Sequence, residues 1–500
     1  MASSQRSSPI GPPCGRVRRR TFLADVGMGF TGLALGSMLH RDRAGRAAES
    51  ELASLPAGRP HFPPRTKSVI WIFLSGGVSH IETWDPKPAL NRYSDKTYAE
   101  TPYPNPFESP LFRERSRAVV GADRTHAKIL PLQVGFQKRG QCGVEISDWW
   151  PNLSTCVDDV AFVRSMYTTD NDHAAEFQFH TGRHKLDERQ PVVGSWISYG
   201  LGTLNENLPQ FVFLGKYSDT RVREDFAADY LGPQYSGVEL SLDPGNPLPF
   251  GNRPATISAA EQQREFELIG DLNRLSAVEY PEDEQLRARI RSYELAYRMQ
   301  QSVPETLDLA AETTETQSLY GIDREETAVY GRRLLAARRL VERGVRFVLV
   351  YLSDYGEWDS HTQLKELHAR CCSRVDGPIA GLLKDLKRRG LSEDDVTVAC
   401  CTEFGRTPGL ETRDTIATPT GRDHHPHAFT VWLAGAGIRS GTVHGATDEL
   451  GFHVTEHPHY VTDIHATLLH LLGLDSRRLD VPGRKRLEID YGRPIHAIMA

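Results

Sequence analysis

Several short segments of the sequence combine the residue types that hold metal ions and act on anionic esters. They are 75–80 with Glu82 and Asp85, 170–173, 354–361, 403–406, and 423–425. Carboxylate oxygens and imidazole nitrogens suit zinc, manganese or another divalent ion, and such an ion can activate water or bind an anionic ester. Each segment lies beside an apolar run that indicates a strand, so one fold could bring all of them together.

Each segment taken singly also has a structural interpretation. Asp359 could simply cap the helix that follows it, although His361 two residues later adds nothing to a cap. Glu403 and Arg406 could form an ion pair in a solvated turn. The histidines after Asp423 could be a chance cluster, since the chain has 19 histidines. The argument for a shared site therefore depends on the common position of the segments beside strands.

The elements that must position these segments alternate between strands and helices. Continuous apolar runs, typical of strands buried on both faces, occur at 68–74, 160–163, 211–214, 345–352, 396–401 and 429–434. Helical periodicity at 325–343, 364–389 and 461–472 ends each time before a glycine suited to a left-handed cap. This alternation predicts an α/β fold with a mostly parallel central sheet and helices on both faces. In such sheets, ligands gather at the carboxyl ends of the strands.

The overall composition indicates a globular protein. The 500 residues are 39% hydrophobic and 25% charged, which allows a large core and an additional insertion. The formal net charge of -6 is spread without a long block of one sign, so nucleic acid is not expected as a partner. After residue 39, no segment approaches the roughly 18 continuous apolar residues of a membrane helix, and no stable membrane span is expected.

The first 48 residues resemble a twin-arginine signal peptide. Three arginines at 18–20 precede Thr-Phe-Leu and a weakly apolar run, rich in Gly and Ala, that ends at Leu39. The alternative is a disordered basic arm. Residues 49–66 suit a linker, and 67–500 are expected to form the domain, with a peripheral insertion at about 218–318. The signal predicts delivery to the periplasm by the twin-arginine export machinery.

The cysteines give little sign of a disulfide framework. The adjacent pairs at 371–372 and 400–401 lie in apolar runs and are expected to be buried thiols. Cys142 and Cys156 could form a bridge. Because the sequence has no Cys-x-x-Cys motif, neither a zinc ribbon nor a thioredoxin-like site is indicated.

Ordered motifs resemble those of the alkaline phosphatase and sulfatase superfamily. The segment 172–183 resembles its nucleophile helix, in which the nucleophile stands nine residues before the Thr of a Thr-Gly pair, here Asp172 and Thr181. Segment 403–406 is similar in place to a later Asp-His ligand pair, 421–425 to the final histidine-ligand segment, and 462–475 to the closing helix. The resemblance implies a three-layer, alkaline-phosphatase-like sandwich.

A closer resemblance is to the branch called domain of unknown function 1501, many members of which carry twin-arginine signals. Its signatures are similar to Leu-Ser-Gly-Gly at 74–77, Thr-Trp-Asp-Pro-Lys-Pro at 83–88, Trp-Asp-Ser-His at 358–361, Glu-Phe-Gly-Arg-Thr-Pro at 403–408, Gly-Arg-Asp-His at 421–424 and Gly-Ala-Thr-Asp-Glu at 445–449. The similarity covers about residues 67–475. An ordered set of this length is far more specific than any one motif.

The chain departs from the superfamily at three positions of the expected site. The first strand ends in Ser75 and two glycines, where the superfamily has an Asp ligand. Asp172, beside His173, replaces the usual Ser, Thr or Cys nucleophile, and Phe404 stands where the paired His ligand would be. One metal position and the covalent step are therefore left open.

The resemblance implies a divalent ion, which could be zinc, calcium or manganese. Asp359, His361, Asp423 and His424 would hold this ion, and Glu403 would complete the ligand set or orient an arginine. The ion would lower the pKa of a bound water, so that hydroxide attacks phosphorus or sulfur.

Three further residues would act on the ester. Asp172 or His173, at the amino end of a helix, would serve as ligand, base or nucleophile. Arg406 would stabilise charge on the nonbridging oxygens. The expected activity is hydrolysis of phosphate or sulfate esters, with the anionic substrate a small molecule or a sulfated or phosphorylated polymer. A binding or scaffold protein that has lost the chemistry and a phosphomutase-like transferase are the alternatives.

Overall fold

The computed structural model describes residues 58–115, 127–215, 228–249, 256–279, 284–413, 416 and 418–500. The predicted signal peptide, and the predicted linker up to residue 57, lie outside these ranges. Two compact units are distinguished. The larger comprises residues 56–479 and 485–500 and contains all the strands and helices given below. Of the smaller unit, residues 480–484 are described, and they form a turn in which the Arg484 N–H donates to the Val481 carbonyl at 3.0 Å.

The strands in the described ranges occur along most of the chain. They are β1 (Ser68–Phe73), β2 (Phe136–Arg139), β3 (Val144–Ser147), β4 (Val160–Tyr167), β5 (Phe211–Leu214), β6 (Val238–Leu240), β7 (Phe347–Tyr351), β8 (Val396–Cys401), β9 (Gly405–Leu410), β10 (Arg422–His425), β11 (Phe429–Gly435), β12 (Thr442–His444), β13 (Ala446–Thr447), β14 (Val454–Glu456) and β15 (His459–Tyr460). Each of the six apolar runs singled out in the sequence overlaps a strand of the central sheet, which confirms that part of the prediction.

The central sheet has nine strands in the order β12-β4-β11-β8-β1-β7-β5-β6, with β15 also paired to β4. Strand β11 runs antiparallel to both of its neighbours, and the other pairs are parallel. The predicted mostly parallel sheet is therefore confirmed. Strands β9 and β10, β13 and β14, and β2 and β3 form three separate two-stranded sheets.

Helices connect and cover the strands. They are His80–Thr83, Pro88–Arg92, Pro110–Arg115, Ala175–Thr181, Val193–Leu201, Ala259–Glu279, Glu284–Thr306, Thr314–Leu319, Glu325–Glu342, Leu364–Arg388, Leu391–Asp394, Val461–Leu471 and Glu488–Tyr491. The three predicted long helices are present, and the glycines at 344, 390 and 473 that follow them have φ of 87°, 72° and 81°. These left-handed values are ones that glycine adopts without the steric cost of a Cβ.

Strand β1 shows how the three layers are held together. All six of its residues are buried, and alternate side chains point to opposite faces of the sheet. Ile70 and Ile72 join the core cluster on one face, which contains residues of the helices Glu325–Glu342 and Leu364–Arg388. On the other face, the Trp71 ring lies 5.5 Å from the Phe179 ring. Burial of each such side chain contributes about 1.5–3 kcal/mol relative to exposure.

The described parts of the range 218–318 include both loops and regular structure. Strand β6 pairs with β5 at the edge of the central sheet, and two long helices, Ala259–Glu279 and Glu284–Thr306, follow. Cys142 and Cys156 are free thiols, so the bridge that the sequence allowed is not formed, and the adjacent cysteine pairs are buried as expected. Within the described ranges, no helix combines the length and the apolar character that crossing a membrane requires.

Candidate metal centre

The candidate centre lies where the loops after β1, β7 and β8 meet. The Gly76 N–H donates to Glu403 Oε1 at 2.7 Å, and the Trp358 N–H donates to the Ser75 carbonyl at 3.1 Å. Gly76 has φ of 121°, and a Cβ there would lie 2.7 Å from the Asp359 backbone nitrogen. Only glycine allows the first loop to approach so closely, and this approach brings the segments singled out in the sequence together.

Asp359 is the hub of the centre. Its Oδ1 lies 2.9 Å from His361 Nε2 and 3.1 Å from His424 Nε2, and it accepts a hydrogen bond from Arg406 Nη2 at 2.8 Å. Its Oδ2 lies 3.2 Å from His173 Nε2. Burial favours the neutral acid, but Arg406 and the three histidines outweigh burial and hold the pKa of Asp359 well below its usual range.

The two histidines beside Asp359 fit a metal ion. Their Nε2 atoms are 3.1 Å apart. His424 Nδ1 donates to the Asn171 carbonyl at 2.7 Å, and His361 Nδ1 contacts the Glu411 carboxylate. Because each Nδ1 faces an oxygen acceptor, each ring in its neutral form can carry its proton on Nδ1 and present Nε2 to a cation. A shared cation resolves this arrangement, and a tetrahedral zinc site with bonds of 2.0–2.1 Å separates its ligand atoms by roughly 3.3 Å.

His173 connects Asp359 to Glu403. Its Nδ1 lies 3.1 Å from Glu403 Oε1, on the opposite side of the ring from its contact with Asp359. Burial lowers the pKa of His173, but the hydrogen bonds to Asp359 and Glu403 outweigh burial and raise it to about 9. Glu403, predicted as a ligand or as the partner of Arg406, thus contacts His173 and the Gly76 N–H.

Arg406 is fully buried, and its donors bind the loop after β1. Its Nε donates to the Gly77 carbonyl at 2.8 Å, and its Nη2 contacts the Gly76 carbonyl. Its Nη1 donates to the Arg422 carbonyl at 3.2 Å. The guanidinium therefore fixes the position of Asp359 and of the first loop.

Asp423, Glu411 and Arg413 complete the surroundings of His361. The sequence did not single out Glu411 or Arg413. Arg413 Nη2 lies 3.3 Å from Asp423 Oδ1 and also contacts the His361 ring. Glu411 is buried, and Arg413 Nε donates to its Oε2 at 3.3 Å. Burial raises the pKa of Glu411, but the contact with His361 outweighs it and brings the pKa down to about 2. Neither Glu411 nor Arg413 belongs to a recognisable motif, so no local signal pointed to them.

Asp172 and His173, although adjacent, have different surroundings. Asp172 Oδ2 pairs with Lys185 Nζ at 2.8 Å. Burial raises the pKa of Asp172, but the ion pair with Lys185 outweighs burial and lowers the pKa below its usual value. The carboxylate is therefore ionised. The His173 ring instead packs beside His424, with 4.6 Å between the ring centroids. Of the two candidates for the nucleophile position, the structure brings His173 into contact with the other candidate residues.

Ser75 occupies the end of the first strand. Its hydroxyl donates to Glu176 Oε2 at 2.8 Å and accepts from the Gly356 N–H at 3.1 Å. The Tyr351 hydroxyl donates to the other Glu176 oxygen at 3.0 Å. Sequence reasoning did not identify Glu176 as a partner of Ser75, because its place in the helix Ala175–Thr181 gave no indication of that contact.

Glu82 and Asp85 serve the surrounding structure. Glu82 forms a fully buried ion pair with Arg422, with 2.7 Å between Oε1 and Nη2. Asp85 pairs with Lys87 at 3.1 Å and accepts from the Thr447 hydroxyl at 2.5 Å.

Within the described chain, groups of three possible ligands converge at His173, Asp359 and His424, and at His361, Asp423 and His424.

Comparison with known families identifies the chain. Residues 66–499 match the family described as "Protein of unknown function (DUF1501)". The chain belongs to this family. The match covers most of the sequence and includes all the residues of the candidate centre, so the centre lies in the DUF1501 domain itself. No curated protein matches this DUF1501 member.

Several solved structures are similar to this DUF1501 chain at low sequence identity. One is the PsFucS1 sulfatase from Pseudoalteromonas sp., with 13% identity, 87% of this chain and 72% of that chain covered, and a TM-score of 0.34. Another is a protein in the alkaline phosphatase superfamily from Vibrio parahaemolyticus, with 11% identity, coverage of 89% and 74%, and a TM-score of 0.36. A third is the C-terminal periplasmic domain of EcEptC from Escherichia coli in complex with Zn, with 9% identity, coverage of 86% and 91%, and a TM-score of 0.35.

Proposed function

We propose that this DUF1501 protein is an exported, metal-dependent hydrolase of phosphate or sulfate esters. The observation that carries the proposal is the convergence of His361 Nε2 and His424 Nε2 on Asp359 Oδ1, at 2.9 and 3.1 Å. Both imidazole rings are oriented by oxygen acceptors at Nδ1, as in metal sites whose ligands are fixed by an outer shell.

The ligand set favours zinc or manganese over calcium. Calcium takes six to eight oxygen ligands, whereas this group offers two imidazole nitrogens and a carboxylate. Asp423 Oδ1 lies 3.9 Å from His361 Nδ1, and Asp423 converges with His361 and His424 as a further possible ligand. A bound divalent ion supplies the Lewis acidity that activates water and polarises an ester oxygen.

The chain's own residues supply the remaining functions. His173 holds a proton between Asp359 and Glu403, and we assign to it the transfer of that proton to the leaving oxygen. The Arg413 guanidinium is partly exposed beside His361, and we assign to it the binding of the anionic ester. Arg406 has the role of holding Asp359 in place.

Export is a further part of the proposal. The arginines at 18–20 and the weakly apolar run after them support recognition by the twin-arginine machinery and delivery to the periplasm. The substrate would then be an anionic ester met outside the cytoplasm, either a small molecule or a sulfated or phosphorylated polymer.

A binding protein on the same fold is the second candidate. It is favoured by the pairing of Asp172 with Lys185, because an ion-paired carboxylate at the nucleophile position is poorly placed for attack. Such a protein would keep the metal and the anion site without hydrolysis.

Elemental analysis followed by an ester panel distinguishes the candidates. The mature chain is loaded with zinc, manganese or calcium, and hydrolysis of p-nitrophenyl phosphate, p-nitrophenyl sulfate and their diester and polymer counterparts is measured. If the protein is a hydrolase, it should turn over at least one of these classes of ester. We expect the turnover to be lost in His424→Ala and kept in His470→Ala. The His470 ring packs against His496, outside the centre. Bound metal without turnover supports the binding protein, and absence of bound metal refutes the metal-dependent hydrolase.

A further inference from the structure

A second histidine cluster lies at the edge of the central sheet, where β12 and β15 pair with β4, away from the candidate metal centre. Strands β12 and β15 pair with β4 one after the other, in parallel. His444, the last residue of β12, is in register with Val163, and His459, the first residue of β15, is in register with Met166. The chain leaves the sheet edge after His444 and returns to it at His459.

A β-bulge brings the two histidines to one face of the sheet. On the other side of β4, Val163 and Met166 are in register with Val431 and Phe429, so three steps along β4 face two steps along β11. In a regular strand, residues three apart point to opposite faces, and the extra residue of the bulge restores a common face. Their partners His444 and His459 follow the same orientation, and their Nε2 atoms lie 3.0 Å apart.

The surroundings orient one ring for metal binding. His459 Nδ1 lies 2.8 Å from Asp463 Oδ2 and donates a hydrogen bond to that carboxylate. The lone pair on His459 Nε2 is therefore directed at His444 Nε2. A carboxylate that orients the far nitrogen of a histidine is the usual outer shell of a metal ligand.

A third histidine stands beside the pair. The His457 ring is stacked on that of His444, with 5.0 Å between centroids and 22° between planes. Its backbone has φ of 49°, a left-handed conformation that is uncommon outside glycine and tends to persist where it serves a site.

We propose that His444 and His459 bind a divalent transition metal ion of the zinc class, with His457 as a third ligand after rotation of its side chain. All-imidazole ligation suits zinc, copper or nickel and not magnesium or calcium, which prefer oxygen. The site is separate from the proposed hydrolytic centre and does not depend on its activity.

The consequence is a metal crosslink at the base of the segment 445–458, which contains the strands β13 and β14 and is called the loop below. This loop packs behind the candidate centre: the His80 ring contacts the Gly451 carbonyl at 2.9 Å, and the His425 ring contacts the Phe452 carbonyl at 2.5 Å. His425 is adjacent to His424 in β10. A metal ion that joins the two ends of the loop would stabilise its contacts with His80 and His425, because a crosslink reduces the conformational freedom of the loop.

Zinc titration calorimetry at pH 7 tests the crosslink. We expect His444→Ala and His459→Ala each to lose one equivalent of bound zinc relative to the wild type, and Asp463→Asn to bind that equivalent about 10- to 100-fold more weakly. His496→Ala, in the same cleft but packed against His470, is the matched control and should bind as the wild type does. The measured quantity is the difference in bound zinc between each variant and the wild type. It therefore tests the proposal even if the hydrolytic centre binds no metal.

Thermal unfolding with and without zinc provides a second readout. Zinc should raise the Tm of the wild type and of His496→Ala by mass action, and should raise it less in His444→Ala and Asp463→Asn. A simple hydrogen bond between the two histidines predicts equal zinc stoichiometry in all these variants, and that result would overturn the proposal. If an alanine variant fails to fold, unchanged zinc affinity in Asp463→Asn would overturn it equally.

Discussion

His361 and His424 face each other through their Nε2 atoms at 3.1 Å, although 62 residues of sequence lie between them. Glu411 orients one ring and the Asn171 carbonyl orients the other. With the proton of each neutral ring on Nδ1, both Nε2 atoms and Asp359 Oδ1 are available to one cation. The relationship links the loop after β7 to strand β10, and the first two predictions follow from it.

Replacement of either histidine should remove a direct ligand. In His361→Ala or His424→Ala we expect metal affinity to fall by more than the roughly 10- to 100-fold cost of an outer-shell change. The metal-dependent part of the Tm should fall as well, because an ion that binds only the folded state stabilises it by mass action. Elemental analysis and melting across a metal series provide the check. Full metal content in both variants would show that these residues are not ligands.

Glu411 should act through His361. Glu411→Gln keeps the size of the side chain but weakens the acceptor at His361 Nδ1. We expect metal affinity to drop about 10- to 100-fold. Glu393→Gln, at an exposed carboxylate, is the control and should leave the affinity unchanged. Equal affinities for the two variants, measured by calorimetry, would contradict the assigned role of Glu411.

The buried pair of Glu82 and Arg422 should matter for stability. Both side chains have no exposed surface, so removal of one partner leaves an uncompensated charge in the interior. Glu82→Ala is expected to lower the free energy of unfolding by about 3–5 kcal/mol. Replacement of both residues by Met should recover only part of that loss, because Arg422 also donates to the carbonyls of Thr407 and Pro408. Urea unfolding measures both effects, and a loss below about 1 kcal/mol in Glu82→Ala would mean that the pair is not buried as described.

Acid should destabilise the fold through His465. Burial is the main cause that lowers its pKa from 6.5 to about 4, while the Phe179 carbonyl opposes the shift. Above pH 6.5 the ring is neutral in both states and the full stability is present. As the pH falls from 6.5 to 4, the unfolded chain gains the proton first, and about 3 kcal/mol is lost. Urea unfolding at pH 7 and pH 4 should show a smaller loss in His465→Gln than in the wild type.

Export should require the arginine pair. Replacement of Arg19 and Arg20 together by Lys keeps the charge but removes the residues that the twin-arginine receptor recognises. We expect the precursor to remain in the cytoplasm, as measured by fractionation and immunoblotting. Periplasmic delivery of the double variant at the wild-type level would refute the signal.

Much of the fold could be predicted from the sequence because its signals are local. The run at 68–74 is apolar at nearly every position, and a strand buried on both faces requires that pattern. Helical periodicity, followed each time by a glycine, predicted where the helices at 325–342, 364–388 and 461–471 end. The positions of Asp359 and Glu403 after strands were likewise visible, because a strand end is a property of the neighbouring residues, whereas His424 lies within the short strand β10.

Only the tertiary structure decided which of these groups are partners. Asp172 and His173 are equivalent candidates in the sequence, yet one pairs with Lys185 and the other with Asp359 and Glu403. Glu411 lies 50 residues from His361, in a segment without a motif. Such pairings depend on the path of loops and on strand register, which no local pattern contains. The bulge in β4, which sets His444 beside His459, is a property of the paired strands and has no counterpart in either segment alone.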